Sequence, residues 1–224
     1  MSRIPLTVKA IIFDMDGVIT NTMPDHYKAW KKIFAQQGVI MTKEDVYCRE
    51  GQKGIQSVTE ILFIHGKTVP RSQAEVLLEQ KEKIFKEIVR QRFICGARQF
   101  LRDLHRRSFR LALVTGTSRH ELLRILPESL LNLFEVTITG NDVRHGKPHP
   151  EPFQRALQRL GLKAQEAVVL ENAPFGIQSA KAAGLRTLAI ETSLPKKYLH
   201  QADMIFPSIK EIKERVVFLL DGSA

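Results

Sequence analysis

Asp14 and Asp16, separated by one residue and followed by Gly17, are an unusual pairing for the end of an apolar run. Two carboxylates held this close repel, so they need a cation or a proton between them. Three other polar groupings have complementary chemistry. Thr115 and Thr117 flank Gly116. Lys147 is the lysine of Arg144-His145-Gly146-Lys147-Pro148-His149-Pro150, and Glu171 stands beside Asn172. Together they offer an acidic site for a divalent cation, a hydroxyl with free backbone N–H groups, and one ammonium group. Phosphoryl transfer needs those parts: a cation, donors to the phosphoryl oxygens and a positioned nucleophile. Singly, each has a plainer reading, an acidic turn for Asp-x-Asp-Gly and a solvated loop lysine for Lys147.

The elements that must position these residues are legible as apolar runs. Ala10-Ile11-Ile12-Phe13 is bounded by charge and reads as a short strand buried on both faces. Gly17 permits a sharp turn after it. Leu111–Val114 leads into Thr115, and Ala167–Leu170 leads into Glu171 and Asn172. Val136–Thr139, Thr187–Ile190 and Met204–Phe206 are further strands. Helical patterns occupy Ala97–Arg107, the stretch through Phe134, Glu151–Leu160, Gly176 to Gly184, and Ile209–Leu220. This alternation predicts an α/β fold, a Rossmann-like parallel sheet flanked by helices. Such sheets bind ligands beyond the carboxyl ends of their strands, so the polar groupings should lie along one edge.

Residues 22–91 break the alternation. Thr22–Gly38 has Tyr27, Trp30, Ile33 and Phe34 near helical spacing, and Thr42 with Asp45 resembles a helix start. Ile55–Ile64 and Ser72–Arg90 complete a block without a convincing strand. It reads as a small all-helical domain inserted after the first strand, leaving 1–21 and 92–224 as the α/β core domain.

Composition bounds the alternatives. The chain has 224 residues, 43% hydrophobic and 26% charged, as expected of a soluble globule. No apolar run approaches the ~20 residues of a membrane span. Met1-Ser2-Arg3-Ile4-Pro5 lacks the features of a signal peptide. Cys48 and Cys95 have no metal-ligand spacing and read as unpaired thiols, which with the missing leader predicts a cytoplasmic protein. The formal net charge of +10 comes from scattered Lys and Arg. Lys81, Lys83 and Lys86 alternate with acids, as on a solvated helix face. An anionic metabolite accounts for that charge, with nucleic acid the minor alternative and no membrane partner.

Phe-Asp-Met-Asp-Gly-Val, Val-Thr-Gly-Thr, Gly-Lys-Pro-His-Pro-Glu-Pro-Phe and Val-Leu-Glu-Asn-Ala-Pro-Phe-Gly-Ile occur in that order. They resemble the four signature motifs of the haloacid dehalogenase-like hydrolase superfamily, over essentially the whole chain. The helical insertion resembles the cap domain of its β-phosphoglucomutase and phosphoglycolate phosphatase branch. The resemblance implies Asp14 as nucleophile, forming an aspartyl-phosphate, and Asp16 as acid and then base. It implies Thr115 with the Gly116 and Thr117 N–H groups as phosphoryl donors, and Lys147 as the neutralising cation. Mg2+ would be held by Asp14, the main-chain carbonyl of Asp16, Glu171 and Asn172. Asn172 departs from the branch, which usually carries Asp there, and Asp142 is either a further carboxylate acting through water or a turn residue.

For the substrate, His26 matches a histidine of mutase relatives, and Lys53 stands near where those relatives carry an arginine for a distal phosphate. Asn21 replaces a frequent acid. The expected activity is a magnesium-dependent phosphatase acting on a small phosphorylated metabolite, a sugar phosphate or one like phosphoglycolate. A β-phosphoglucomutase-like mutase is the alternative. A 2-haloacid dehalogenase is disfavoured by Asp16, and a non-catalytic basic interaction module by the intact first motif. A monomer or weak dimer is expected.

Overall fold

The computed structural model describes residues 3–221. Residues 1–2 and 222–224, on which the outer limits of the expected core domain and part of the leader reading fall, lie outside it. Six parallel strands form the main sheet. In chain order they are β2 (Ala10–Phe13), β3 (Arg110–Val114), β4 (Val136–Ile138), β5 (Ala167–Glu171), β6 (Arg186–Ile190) and β7 (Met204–Phe206). Their spatial order is β4-β3-β2-β5-β6-β7. The chain thus winds outward from β2 in both directions, and the reversal falls between β2 and β5, where such sheets open a ligand crevice.

Alternating side chains of the central strands feed two separate cores. Ile11 and Phe13 of β2, Leu111 and Leu113 of β3, and Val168 and Leu170 of β5 pack on one face. Their partners there include Phe100, Leu101 and Leu104 of α5 (Ala97–Arg106). Ala10, Ile12, Ala112, Val114, Ala167 and Val169 pack on the other face, against Phe153, Ala156 and Leu160 of α8 (Glu151–Leu160). Strands buried on both sides need apolar residues at every position, which is why these segments read as continuous runs. Phe13 meets Phe100 and Phe134 edge-on at 6.2 Å each, and full burial of such a ring contributes roughly 1.5–3 kcal/mol.

The register fixes the functional edge. Phe13 lies opposite Leu113 on one side and Leu170 on the other. Asp14, the β3 terminus and Glu171 therefore emerge at one level.

Residues 22–91 contain α1 (Met23–Gln36), α2 (Lys43–Tyr47), α3 (Gly54–Ile64) and α4 (Arg71–Ile88), and no strand. Trp30, Ile33 and Phe34 of α1, Val58, Ile61 and Leu62 of α3, and Leu77 of α4 share a hydrophobic cluster distinct from those beneath the sheet. The expected start at Thr42 is a capping box: Thr42 Oγ1 accepts from the Asp45 N–H at 3.2 Å, and Asp45 accepts from the Thr42 N–H at 2.8 Å. Helices α6 (Arg119–Ile125), α7 (Glu128–Leu131), α9 (Pro174–Ala182) and α10 (Ile209–Arg215) complete the layers. None of the helices among the described residues is long and apolar enough to cross a membrane. Cys48 and Cys95 are free.

Two expectations are corrected. The helix from Ile209 to Leu220 stops at Arg215, and β8 (Val216–Leu220) pairs in parallel with β1 (Ile4–Val8), a strand not expected at all. Val216-Val217-Phe218 suits a pleated, half-buried surface, and pairing with β1 overrides the helical continuation. Lys81 is not on a solvated face, because it follows Leu77 and precedes Phe85 at four-residue intervals and is buried with them. Of the two readings of Asp142, the structure shows the turn residue: it accepts from Thr139 and is flanked by Arg119 and Arg159.

Candidate active site

Asp14 continues β2, its N–H donating to the Leu170 carbonyl at 3.0 Å. Beyond Asp16 the chain turns back through Gly17, whose φ of +94° suits glycine, and a Cβ there would come within 2.1 Å of Asn172 Nδ2. The first motif and the fourth are thus pressed together by a residue without a side chain.

Lys147 reaches Asp14 from the loop before α8. Its ammonium lies 2.7 Å from Asp14 Oδ1, 2.7 Å from Glu171 Oε1 and 3.3 Å from the Val114 carbonyl. All three N–H donors are engaged, and Lys147 is 1% exposed. Burial alone would favour the neutral amine, but Asp14 and Glu171 outweigh it and hold the ammonium form. Asp14 is pushed up, chiefly by burial and with the charges of Glu171 and Asp16 adding, while Lys147 pulls the other way. Two buried acids share one lysine, with the buried Asp16 nearby, so the lysine does not balance the acids around it. The backbone of this loop also holds the helical insertion: Lys147 N donates to the Gly51 carbonyl at 3.1 Å. Gly51 has φ +79°, and a Cβ there would meet Lys147 Cδ at 2.2 Å.

Asp16 is surrounded by hydroxyl groups. Thr22 donates to Oδ1, and Thr117 Oγ1 donates to Oδ2 at 3.0 Å. Burial acts to raise its pKa, but the nearness of His26 and the donors Thr22 and Thr117 prevail, and Asp16 is held below the usual range. Thr115 Oγ1 accepts from the Thr117 N–H at 3.1 Å. That N–H is therefore not free as the sequence implied; Thr117 works instead through its hydroxyl, on Asp16. Gly116 and Thr117 line the cleft above.

His26 lies beside this group, with Nε2 3.6 Å from Asp16 Oδ1 and its ring stacked on Phe85 at 4.0 Å. Its Nδ1 is 3.2 Å from Lys81 Nζ. An ammonium can only donate there, which assigns the imidazole proton to Nε2, facing Asp16. Burial first, then the Lys81 charge, lowers the His26 pKa and keeps the ring neutral. Sequence reasoning missed Lys81, Arg49, Glu50 and Glu121, which line the cleft with His26 and Lys53. For Lys81 the signal was available, as an i, i+4, i+8 pattern with Leu77 and Phe85. Lys53 Nζ is engaged by the Val143 carbonyl at 2.7 Å, bracing the insertion against the core.

For a cation, the donor set divides. Glu171 Oε1 serves Lys147, and Oε2 accepts from the N–H groups of Asn172 at 2.7 Å and Ala173 at 3.0 Å. Glu171 is thus committed, and the side chain of Asp16 is committed to hydroxyls. Asp14 Oδ2 and Asn172 Oδ1 are buried oxygens with no hydrogen-bond partner, and Asn172 Nδ2 donates to Ser193 Oγ at 2.9 Å, which fixes which atom is left over. Two orphaned oxygens beside excess negative charge fit a hard divalent cation such as Mg2+.

Residues 11–190 match the model of the haloacid dehalogenase-like hydrolases. The chain is 31% identical over 186 residues to the phosphorylated carbohydrates phosphatase of Thermotoga maritima, covering 81% of this chain and 84% of that one. It is 30% identical over 211 residues to hexitol phosphatase A of Escherichia coli, covering 91% and 93%. The solved β-phosphoglucomutase of Clostridium difficile shares the fold with a TM-score of 0.80 at 23% identity, covering 93% and 97%. The matched region contains all four polar groupings gathered at the sheet edge, and the chain belongs to the haloacid dehalogenase-like hydrolase family.

Proposed function

We propose that the protein is a phosphatase that hydrolyses a small phosphorylated metabolite through an aspartyl-phosphate on Asp14. The observation that carries this reading is the contact of buried Asp14 with Lys147 at 2.7 Å, beside an Asp16 tied to Thr117. The anionic phosphoryl group entering beside Asp16 brings it into its acid form, with a proton from water. Asp14 attacks phosphorus, and the bond to the departing oxygen breaks while that oxygen takes the proton from Asp16. Water then attacks the aspartyl-phosphate, Asp16 takes its proton back, and inorganic phosphate leaves. Thr115 Oγ1, already an acceptor from Thr117, has its own proton free for a phosphoryl oxygen. Lys147 pulls Asp14 toward its ionised form and shares its charge with the phosphoryl group.

Mg2+ would be held by Asp14 Oδ2, Asn172 Oδ1 and the main-chain carbonyl of Asp16, and when bound it neutralises phosphoryl charge. Residues 22–91 serve as a cap domain over the α/β core, closing a cleft of about 250 Å3 against the strand ends. A mutase reaction at the same site would need a cation in the cleft for a second phosphate; Lys53 has one N–H on the Val143 carbonyl, and Arg49 also lines the cleft.

The test is p-nitrophenyl phosphate hydrolysis with and without Mg2+. Wild type should turn over only with the metal, and Asp14→Asn should lose turnover. Equal activity in Asp14→Asn would contradict the assignment.

A further inference from the structure

His145 and His149 stand two residues to either side of Lys147, and both are exposed. With Glu151 at the start of α8 they offer one ligand atom each, all within 4.8 Å of one another. The two imidazole rings are 4.5 Å apart, and His145 Nδ1 is 3.1 Å from Glu151 Oε2. None of the three takes part in the phosphatase mechanism. Two imidazoles and one carboxylate suit a first-row transition ion such as Zn2+, whereas Mg2+ takes oxygen ligands.

The carboxylate is fixed without help from an ion. Oε1 accepts from the Arg144 N–H and from Arg155 Nε, each at 2.9 Å, and Oε2 accepts from the His145 N–H at 2.8 Å. The His149 backbone is anchored as well. Its N–H donates to the Gly146 carbonyl at 3.0 Å, and its carbonyl accepts from Ser179 Oγ of α9 at 2.6 Å. Only the exposed rings then have to move. Ligands at about 2.0–2.1 Å from a tetrahedral ion stand about 3.3 Å apart. His145 Nδ1 and Glu151 Oε2 are already near that spacing, and swinging an imidazole by at most about 1.5 Å closes the widest gap.

The hydrogen bonds that an ion would displace are replaceable. It takes the place of the proton between His145 Nδ1 and Oε2. His149 Nδ1 accepts from the Glu151 N–H at 3.2 Å, and that N–H belongs to the first turn of α8, where water can serve it. Lys147 does not compete for the site, because its ammonium is turned inward onto Asp14 and Glu171.

We propose that His145, His149 and Glu151 form a metal site for a Zn2+-class transition ion, separate from the Asp14 cleft, with water as the fourth ligand. An ion held there pins the Lys147 loop from its outer side. The site depends neither on Mg2+ at Asp14 nor on the phosphatase reading.

The test titrates Zn2+ by calorimetry into wild type, His145→Ala and His149→Ala, with Mg2+ in excess throughout. Wild type should take up one Zn2+ that each variant binds at least about 10–100-fold more weakly, the cost of losing even a supporting partner of a metal ligand. Because both histidines are exposed, the variants should melt close to wild type when no Zn2+ is added. Added Zn2+ should raise the melting temperature of wild type progressively and that of the variants much less. No Zn2+ uptake by wild type, or uptake equally tight in either variant, would overturn the proposal. Zn2+ uptake as expected by a protein that hydrolyses no ester would refute the phosphatase reading alone.

Discussion

Lys147 Nζ stands 2.7 Å from Asp14 Oδ1, with both residues almost wholly shielded from solvent. The same ammonium is 2.7 Å from Glu171, so one lysine compensates two buried acids. Removing it leaves both without a counter-charge. Lys147→Met is expected to cost roughly 3–5 kcal/mol of stability without Mg2+. The loss should be smaller at pH 5 than at pH 8, because Asp14, already pushed up by burial, can then take a proton. Urea unfolding at the two pH values reads both the size and the sign.

Asn172 supplies an oxygen without a charge. Asn172→Asp adds a carboxylate where Oδ1 is unpartnered, and Ser193 Oγ can turn to donate to it. Mg2+ should bind on the order of tenfold more tightly, while the metal-free protein is destabilised by a further buried charge. Calorimetric titration with Mg2+ and melting with and without the metal check the two halves.

In the proposed mechanism Asp16 serves both half-reactions, and the two can be separated by the leaving group. Nitrophenolate departs without a proton, whereas an alkoxide does not. Asp16→Asn should therefore give a stoichiometric burst of nitrophenolate followed by turnover slowed roughly 10²–10⁴-fold, and no burst of alcohol from a hexitol phosphate. Rapid-quench measurement on the two esters distinguishes the outcomes.

Glu151 ties the Lys147 loop to α8. Partial burial works to raise its pKa, but the Arg144 and His145 N–H groups, helped by Arg155 and the His145 ring, bring it down to about 2 from 4.5. A depressed carboxylate contributes stability that is fully present above pH 4.5 and is lost as pH falls toward about 2. The gap in melting temperature between wild type and Glu151→Gln should be open at pH 6 and close across that interval.

Much of this was legible because buried parallel strands need apolar residues at every position and their polar ends stand out. Ala10–Phe13 ending at Asp14 is visible for that reason, and the same logic located Thr115 and Glu171. The β1–β8 pair was not visible, since Ile4–Val8 and Val216–Leu220 are strands only because each pairs with the other across the length of the chain. The division of labour among the oxygens was also hidden. Glu171 and Asn172 are adjacent in sequence, yet only the fold commits both Glu171 oxygens to Lys147 and the start of α9 while leaving Asn172 Oδ1 free. Lys81 was misjudged because a lysine among acids has the composition of a solvated face; its spacing from Leu77 and Phe85 pointed inward.

The central claim is the covalent role of Asp14. Wild-type protein mixed with a 32P-labelled hexitol phosphate and Mg2+, then quenched in acid, should carry label that hydroxylamine releases and that maps to Asp14. Asp14→Asn should carry none and should not turn over. Turnover with no trapped label in a quench fast enough to resolve one cycle, or label on another residue, would contradict the account.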